Sequence, residues 1–549
     1  MRAARPAQPA WSETLDLERA TTNAARREQA KTEMSNTKTI AKNSGWFGIE
    51  TVIGAVVGLS SSIAINRYLG PSRNSYLIYV SYIASLVSSL GGMGIPATTR
   101  KYMAEFIGMG DRGTARYIYR NTLRLQAGLA TLATGGLLGW VLWDAHADYR
   151  LASALLVLSI WPSMVNAISA QANMATEDFS TNLPASALSA VAYFTAIMAT
   201  VFLHWGVVGV GASFLLSRTV DFTIRFFPTR KRIMAWAATH AHPPGLRKRM
   251  IAFAWQSVAS MMVTLIVWGR SEIILLEHLC RDVRQVSFYS LAFTMAEQLL
   301  MVATIFGAAS GATIFAQYGR DKSRLPAIIG STFRYLALTT IPLHVIAASL
   351  AVPALLLLYG HRFQDAAAVV VLAPILCMCK AFIAPAQNLL QSAERQSFVI
   401  GATLVAGIVD IGVAWYLIPA HGAVGACLGN GAGQATAVGI TWIASIYLFK
   451  VKLPWVQVAK VCLASVLASL TAHFIAARFA PLWGILLGGT AALVVLLILF
   501  YLLRVLEPED RDRFRMLTRM LPHPLSGPVD KMLSLLIHSG AVSTAAAKV

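Results

Sequence analysis

The amino-acid sequence predicts an all-α integral membrane protein with about fourteen transmembrane helices, arranged as two pseudo-symmetric six-helix lobes plus two C-terminal helices. Three observations predict this fold. Of the 549 residues, 56% are hydrophobic and only 13% are charged, whereas about 25% of residues are charged in soluble domains. Apolar stretches long enough to cross a bilayer recur along the chain. The two halves of the chain also share short motifs in the same order.

The apolar stretches define the predicted spans. A spanning helix needs about 20 apolar residues, because each residue rises about 1.5 Å and the hydrocarbon core is about 30 Å thick. The segments that meet this requirement are residues 45–66, 74–97, 118–143, 150–172, 184–204, 206–226, 250–276, 286–316, 328–351, 365–390, 398–418, 422–448, 455–477 and 482–505.

Polar segments flank this apolar region. Residues 1–44 lack the apolar core of a secretory signal peptide, so we predict a disordered cytoplasmic tail. Met34 is a second plausible start within it. Residues 507–549 are predicted to form a second cytoplasmic tail.

Lysine and arginine residues are concentrated in alternate loops, which predicts the orientation of the chain. The basic loops of one side carry Arg100, Lys101, Arg112, Arg116, Arg120, Arg230, Lys231, Arg232, Arg247, Lys248, Arg249, Arg320, Lys322, Arg324, Lys450 and Lys452. These short clusters account for the net charge of +20 without a nucleic-acid-binding surface. We therefore predict a multi-pass protein of the cell inner (cytoplasmic) membrane with both termini cytoplasmic.

The two halves of the chain resemble each other at a shift of about 210 to 217 residues. The matching segments are 63–69 with 273–279, Tyr79 with Tyr289, 105–108 with 317–319, 171–177 with 388–394, and 205–209 with 421–425. An even number of spans separates the repeats, so we expect an axis along the membrane normal and a central cleft. The predicted units are the lobes 45–226 and 250–448, the basic cytoplasmic linker 227–249, and helices 13 and 14 in residues 449–506. Chance similarity between glycine-rich apolar helices is the alternative.

Ionisable residues inside the predicted spans are the candidate site residues, because such groups should face a hydrated cavity or a partner. They are Arg218 and Asp221 in the sixth span, Arg270 and Glu272 in the seventh, Glu297 in the eighth, Lys380 in the tenth and Asp410 in the eleventh. The candidates for binding an anionic substrate are Arg218, Arg270, Lys380 and, at the cytoplasmic mouth, Arg100. The candidates for proton or sodium coupling are Glu297, Asp410, Asp221 and Glu272.

Structural roles stay open for the same residues. Arg218 and Asp221 are three positions apart, so they could neutralise each other on one helix face. Arg270 could extend towards the outer surface. Glu297 and Asp410 could pair with cations of neighbouring helices. The basic cluster around Arg100 could serve only orientation and contact with anionic lipid.

Signatures of soluble enzyme chemistry are missing from the sequence. There is no G-x-x-x-x-G-K-[ST] loop, no H-E-x-x-H and no G-x-S-x-G. The cysteines, which are Cys280, Cys377, Cys379, Cys427 and Cys462, lack the paired spacing of a zinc site. We predict a protein that is not an enzyme, holds no metal or organic cofactor, and is driven by an ion gradient, by substrate flux or by no energy input.

Several short motifs together resemble one membrane protein family. They are Gly45–Gly48, Asn66–Pro71, Gly91–Pro96, Glu272–Leu276 leading to Phe288–Ala292, and Gly422–Ala426. Residues 43–505 are similar to the Wzx-type polysaccharide flippases of the multidrug/oligosaccharidyl-lipid/polysaccharide exporter superfamily. Glu272 and Cys280 depart from the family pattern, in which Asp and Gly are usual at these positions.

The resemblance implies movement of a polyprenyl-pyrophosphate-linked oligosaccharide across the bacterial cytoplasmic membrane by alternating access, for lipopolysaccharide or exopolysaccharide biosynthesis. The partners it implies are this lipid-linked glycan, membrane lipids, a polysaccharide polymerase and chain-length proteins, without nucleic acid. A cation-coupled multidrug-type antiporter and a peptidoglycan-precursor flippase are the alternatives. A glycan polymerase or ligase should have a large periplasmic loop, which the sequence lacks.

Overall fold

The computed structural model describes residues 52–144, 147–176, 178–239, 243–507 and 510. Within these ranges the regular secondary structure is entirely helical, as the sequence predicts. The predicted tail 1–44, with the alternative start at Met34, and nearly all of 507–549 lie outside the described residues.

The helices follow the order of the predicted spans, and the names first lobe and second lobe keep the predicted division of the chain. The first lobe contains α1 (Val52–Gly91), α2 (Ile95–Gly108), α3 (Arg112–Asp144), α4 (Arg150–Leu158), α5 (Ile160–Ala175), α6 (Phe179–Phe202) and α7 (Gly206–Met234). The second lobe contains α8 (Leu246–Trp268), α9 (Glu272–Leu279), α10 (Arg284–Arg320), α11 (Leu325–Ser349), α12 (Ala351–Tyr359), α13 (Ala367–Cys377), α14 (Ile383–Ser392), α15 (Gln396–His421) and α16 (Ala423–Phe449). The helices α17 (Trp455–Ala476) and α18 (Pro481–Leu502) follow.

Among the described residues, 11 helices are long and apolar enough to cross a membrane, or 12 when the bent pair α11 and α12 is one span. Two features make this number compatible with the fourteen predicted spans. Helix α1 has 40 residues, a length of about 60 Å that suits two crossings. Gly70, at φ 75°, precedes Pro71 between the two spans predicted there. Helix α8 falls in the seventh predicted span but is not among these 11 helices.

The two lobes touch each other near both predicted membrane surfaces. On the predicted outer side, Arg67 donates a hydrogen bond from Nε to the carbonyl of Leu358 at 2.7 Å. On the predicted cytoplasmic side, Arg249 and Glu105 form an ion pair of 2.9 Å. Gly94 follows the turn between α1 and α2 at φ 66°, and a Cβ there would lie 2.4 Å from the carbonyl oxygen of Ala254. A glycine is therefore required at this lobe contact.

Glycine spacing brings α15 and α16 together. Gly425, Gly429 and Gly433 recur at every fourth position and face α15. A Cβ on Gly429 would lie 2.6 Å from the Cβ of Ala414. Small residues at this spacing allow close approach of two helices inside a membrane. The pairing fixes the polar side chains that α15 and α16 carry towards the lobe interior.

Exposed tryptophan and tyrosine side chains mark the ends of several helices. They are Trp205 before α7, Trp415 and Tyr416 near the end of α15, Tyr447 near the end of α16, Trp455 at the start of α17 and Trp483 at the start of α18. Aromatic residues concentrate at the headgroup level of a bilayer because their rings are amphipathic. Their positions agree with helices that cross a membrane.

Candidate functional site at a buried carboxyl pair

Two carboxyl groups lie against each other inside the second lobe. Glu272 is the first residue of α9, Asp410 lies in the middle of α15, and neither side chain has exposed surface. Tyr289 donates a hydrogen bond to Oε2 of Glu272 at 2.7 Å. Asn430 donates one to Oε1 at 2.8 Å. Glu272 is therefore held in place by donors from α10 and α16.

Asp410 has a different environment. Its carboxyl group lies at hydrogen-bonding distance from that of Glu272, yet neither of its oxygens has a donor among the described residues. Two ionised carboxylates offer only acceptors and repel each other strongly out of water. The pair is therefore satisfied only when a proton lies between the two groups or a cation neutralises them.

A short chain of amides extends this site along α16. Gln434 donates from Nε2 to Oδ1 of Asn430 at 2.6 Å, and its own Oε1 lacks a donor among the described residues. Asn430 and Gln434 are four positions apart and share one helix face. Both oxygens of Asp410 and one of Gln434 thus lack a donor among the described residues, and oxygen atoms of this kind suit a proton or a hard cation.

The packing of α16 on α15 places these groups. A Cβ on Gly433 would lie 2.6 Å from the Cβ of Asp410. Because no larger residue fits there, the backbone of α16 runs directly beside Asp410 and carries Asn430 towards Glu272. Among the described residues, no group of three or more His, Cys, Asp or Glu side chains could hold a metal ion. Any cation at the pair would therefore also need amide, hydroxyl or water oxygens.

A second polar group lies in the same region of the second lobe. Arg270 and Glu297 form an ion pair of 2.7 Å, with side chains that are 25% and 36% exposed. Arg270 also lies 4.9 Å from the centre of the Phe293 ring. Glu297 is thus neutralised by a partner, one of the structural roles that the sequence left open. The partial exposure of both groups places this ion pair at an accessible surface rather than in the core.

Lys380 differs from Arg270 because it has no carboxylate partner among the described residues. Its ammonium group donates a hydrogen bond to the carbonyl of Trp268 at 3.4 Å. Lys380, Arg270, Glu297 and Glu272 all lie within electrostatic reach of Cys377, so they occupy one region. Lys380 is the member of this group that remains free to attract an anion.

The carboxyl pair is also close to the first lobe. Tyr82 of α1 lies within electrostatic reach of Glu272, Arg270 and Asp410. Asn66 of α1 approaches Ser287 of α10 at 3.5 Å. A change of charge at the carboxyl pair therefore alters the electrostatic potential at the contact between the two lobes.

The predicted site residues of the first lobe do not join this group. Asp221 pairs with Arg225 at 2.8 Å, four positions along α7, and accepts a hydrogen bond from Asn166 at 2.9 Å. The predicted partner Arg218 is instead exposed and has no ion pair among the described residues. Arg100 is exposed on α2 and approaches the sulfur atom of Met174 at 4.0 Å.

Sequence reasoning missed Tyr289, Asn430, Gln434 and Arg225 as members of these networks. Two signals in the sequence point to them. Tyr289 matches Tyr79 in the repeat, and Asn430 and Gln434 directly follow Gly429 and Gly433, so they recur with the same four-residue spacing. Arg225 is four positions from Asp221, a spacing as suitable for an ion pair as the three positions to Arg218.

The structure also contains a cavity of about 570 Å³. It lies between α2, α3 and the start of α8, on the predicted cytoplasmic side. None of the eight predicted site residues lines it. The cavity is therefore separate from the carboxyl pair.

Comparison with known proteins defines the fold. One solved structure, described as lipid II flippase MurJ in an inward closed conformation, superposes with a TM-score of 0.66 at 13% identity, covering 82% of this chain and 97% of that chain. A multidrug resistance MATE family transporter of the MOP superfamily, in an inward-facing conformation, gives 0.60 at 15% identity, covering 72% and 94%. An outward-facing structure of such a transporter gives 0.55 at 16% identity, covering 75% and 96%. No protein-family model and no curated protein matches the sequence.

The fold and the charged groups inside it define a multi-pass membrane protein built like these flippase and multidrug transporter structures. The all-helical membrane fold predicted from the sequence is confirmed. Membership of the exporter superfamily and the Wzx-type assignment within it stay predictions, because structures at 13% to 16% identity show the fold alone.

Proposed function

We propose that this chain is a flippase that moves a polyprenyl-pyrophosphate-linked oligosaccharide across the bacterial cytoplasmic membrane by alternating access, coupled to a proton or a sodium ion at Glu272 and Asp410. The observation that carries the proposal is the position of the buried carboxyl pair, in the same region as Lys380, which has no carboxylate partner among the described residues, and within electrostatic reach of α1 of the other lobe. Movement of this lipid-linked oligosaccharide would serve lipopolysaccharide or exopolysaccharide biosynthesis.

The coupling step follows from electrostatics. An empty, fully ionised pair is unfavourable in the membrane interior, so loading with a proton or cation stabilises the arrangement in which the two carboxyl groups touch. A ligand shifts a conformational equilibrium only by its difference in affinity for the two states. Because the pair lies near Tyr82 of the first lobe, loading and release favour different arrangements of the lobes.

Cationic side chains bind the anionic headgroup of the substrate. Lys380 lacks a carboxylate partner, and Arg218 and Arg100 are exposed cations of the first lobe. Arginine binds phosphate oxygens with two parallel hydrogen bonds, which suits a pyrophosphate. The polyprenyl chain stays in the bilayer while the headgroup passes between the lobes. The protein acts without covalent chemistry, in company with a polymerase and chain-length proteins.

A peptidoglycan-precursor flippase is the second candidate. The likeness in fold to a lipid II flippase favours it, with a TM-score of 0.66. The same cations and carboxyl pair would serve, because both substrates combine a polyprenyl chain, a pyrophosphate and sugars. A multidrug-type antiporter for cations fits less well, because the charge without a carboxylate partner in this region is the cation Lys380.

Transport assays in vesicles that contain the purified protein distinguish the candidate functions. The full-length protein would be given a fluorescent undecaprenyl-pyrophosphate oligosaccharide, a fluorescent lipid II and a cationic dye in separate assays. We expect translocation of the oligosaccharide lipid, and its loss in Lys380→Gln. Transport of the dye alone would overturn the flippase proposal. Transport of lipid II alone would identify the protein as a peptidoglycan-precursor flippase, the second candidate. In cells, deletion of the gene should accumulate the lipid-linked intermediate and abolish the surface polysaccharide.

A further inference from the structure

The cavity between the lobes has the size of a ligand site. Its volume of about 570 Å³ falls within the range of about 300–1,000 Å³ that is common for small-molecule pockets. Ile95 and Leu125 form apolar walls from α2 and α3 of the first lobe, and Met250 and Ile251 form one from α8 of the second. The walls therefore belong to both lobes and are suited to an apolar chain.

Cationic side chains lie on the helices that line this cavity. Arg247 lines it, and Lys248 lines an adjoining shallow hollow together with Arg247 and Ile251. Arg120 and Arg124 are exposed on α3, each three positions after a lining residue and so on the same side of the helix. None of these four cations has a hydrogen bond or ion pair with another described residue. Their charge is left for a ligand.

The depth of the cavity indicates where such a ligand comes from. Its lining begins near the start of α8 and the first turns of α3, on the predicted cytoplasmic side. The cytoplasmic leaflet carries anionic lipids, and nearby Lys and Arg side chains attract them. A molecule with an apolar chain and a phosphate at headgroup level matches both the apolar walls and these cationic side chains.

We propose that this cavity binds an anionic phospholipid of the cytoplasmic leaflet, with one acyl chain between α2, α3 and α8 and its phosphate at Arg247, Lys248 and Arg124. The bound lipid stabilises the contact between the lobes. The cavity exists only while α2 and α8 stay together, through Arg249 with Glu105 and through Lys101, whose ammonium lies 4.0 Å from the centre of the Phe253 ring. A lipid that binds only this arrangement raises its population.

Direct lipid binding tests this site without any transport assay. The purified full-length protein would be titrated with phosphatidylglycerol and with phosphatidylcholine of the same acyl chains, and bound lipid counted by native mass spectrometry. We expect phosphatidylglycerol to bind at least about tenfold more tightly, and the double variant Arg247→Gln/Lys248→Gln to lose about tenfold of that affinity. Ile251→Trp, which fills the cavity, should weaken binding of both lipids.

A matched control removes the same charge elsewhere. Arg320→Gln/Lys452→Gln deletes two exposed cations from the same predicted side of the membrane, away from the cavity, and should bind phosphatidylglycerol like the unmodified protein. Equal binding of the two lipids, or unchanged binding in Arg247→Gln/Lys248→Gln, would overturn the proposal. Tighter binding of undecaprenyl phosphate, lost in the same variants, would also overturn it and assign the cavity to the substrate. If Ile251→Trp does not fold, the surface variants carry the test.

Discussion

Gly433 lies so close to Asp410 that a Cβ on the glycine would be 2.6 Å from the Cβ of the aspartate. This contact sets the position of the carboxyl pair, since it presses α16 against α15 and brings Asn430 to Glu272. The function of the site thus depends on the absence of a side chain next to it.

Gly433→Ala should push α16 away from α15 at the site. Overpacking of this kind costs about 1–3 kcal/mol, and we expect a lower unfolding temperature together with weakened ion dependence of transport. Gly439→Ala is the control, because a Cβ at that position of the same helix meets no atom within 4 Å. Equal unfolding temperatures for the two variants would show that the close contact does not hold the site together.

Two arginines of α7 should separate stability from transport. Arg225 pairs with Asp221 and donates a hydrogen bond to Ser186 at 2.7 Å, so Arg225→Gln leaves a carboxylate unpaired and should destabilise the protein by about 3 kcal/mol. Arg218 is exposed and unpaired among the described residues, so Arg218→Gln should cost less than about 0.5 kcal/mol but reduce transport of an anionic headgroup. Thermal unfolding and vesicle transport measure the two effects; a reversed order of the two unfolding temperatures would disprove the assignment.

Asp510, at the end of the described chain, should make the stability of the folded protein depend on pH. Asp510 accepts hydrogen bonds from Arg334 at 2.6 Å and 3.0 Å. Burial alone would raise the pKa of Asp510, but the bonds from Arg334 and Tyr335 lower it below its usual value. A lowered pKa means that the carboxylate stabilises the folded state above its ordinary pKa of about 4 and loses this contribution as pH falls through the lower value.

Asp510→Asn should therefore lower the unfolding temperature at pH 7, and the difference from the unmodified protein should shrink as the pH falls below about 4. Glu507→Gln is the control, because that side chain is 43% exposed and lies 3.4 Å from Arg334. A difference between Asp510→Asn and the unmodified protein that stays constant with pH would rule out an ionised Asp510 as the cause.

The ion pair between Glu105 and Arg249 offers a test of lobe movement. With the native cysteines replaced, Glu105→Cys/Arg249→Cys should be joined by a short bifunctional maleimide. We expect transport to stop, because alternating access needs the lobes to separate on this side. The single variants, treated with the same reagent, should retain transport. Full activity of the cross-linked protein would mean that this contact does not open during transport.

The sequence predicts the helices and their repeat because both depend on local hydrophobicity and short motifs. It also selects Glu272 and Asp410 as candidates, since carboxyl groups inside apolar helices are rare. It does not predict that the two meet, because they lie on helices separated by several others, and only the packing of Gly433 on Asp410 brings them together. The choice of Arg225 over Arg218 as the partner of Asp221 likewise depends on helix orientation in the folded lobe.

The proposed function requires the carboxyl pair to couple an ion to the movement of a lipid-linked oligosaccharide. The most direct measurement is translocation of that lipid in vesicles with an imposed proton or sodium gradient, comparing the unmodified protein with Asp410→Asn. We expect a gradient of one of the two ions to accelerate translocation by the unmodified protein and to have no effect on the variant. Equal acceleration of both proteins by the same gradient would contradict this coupling.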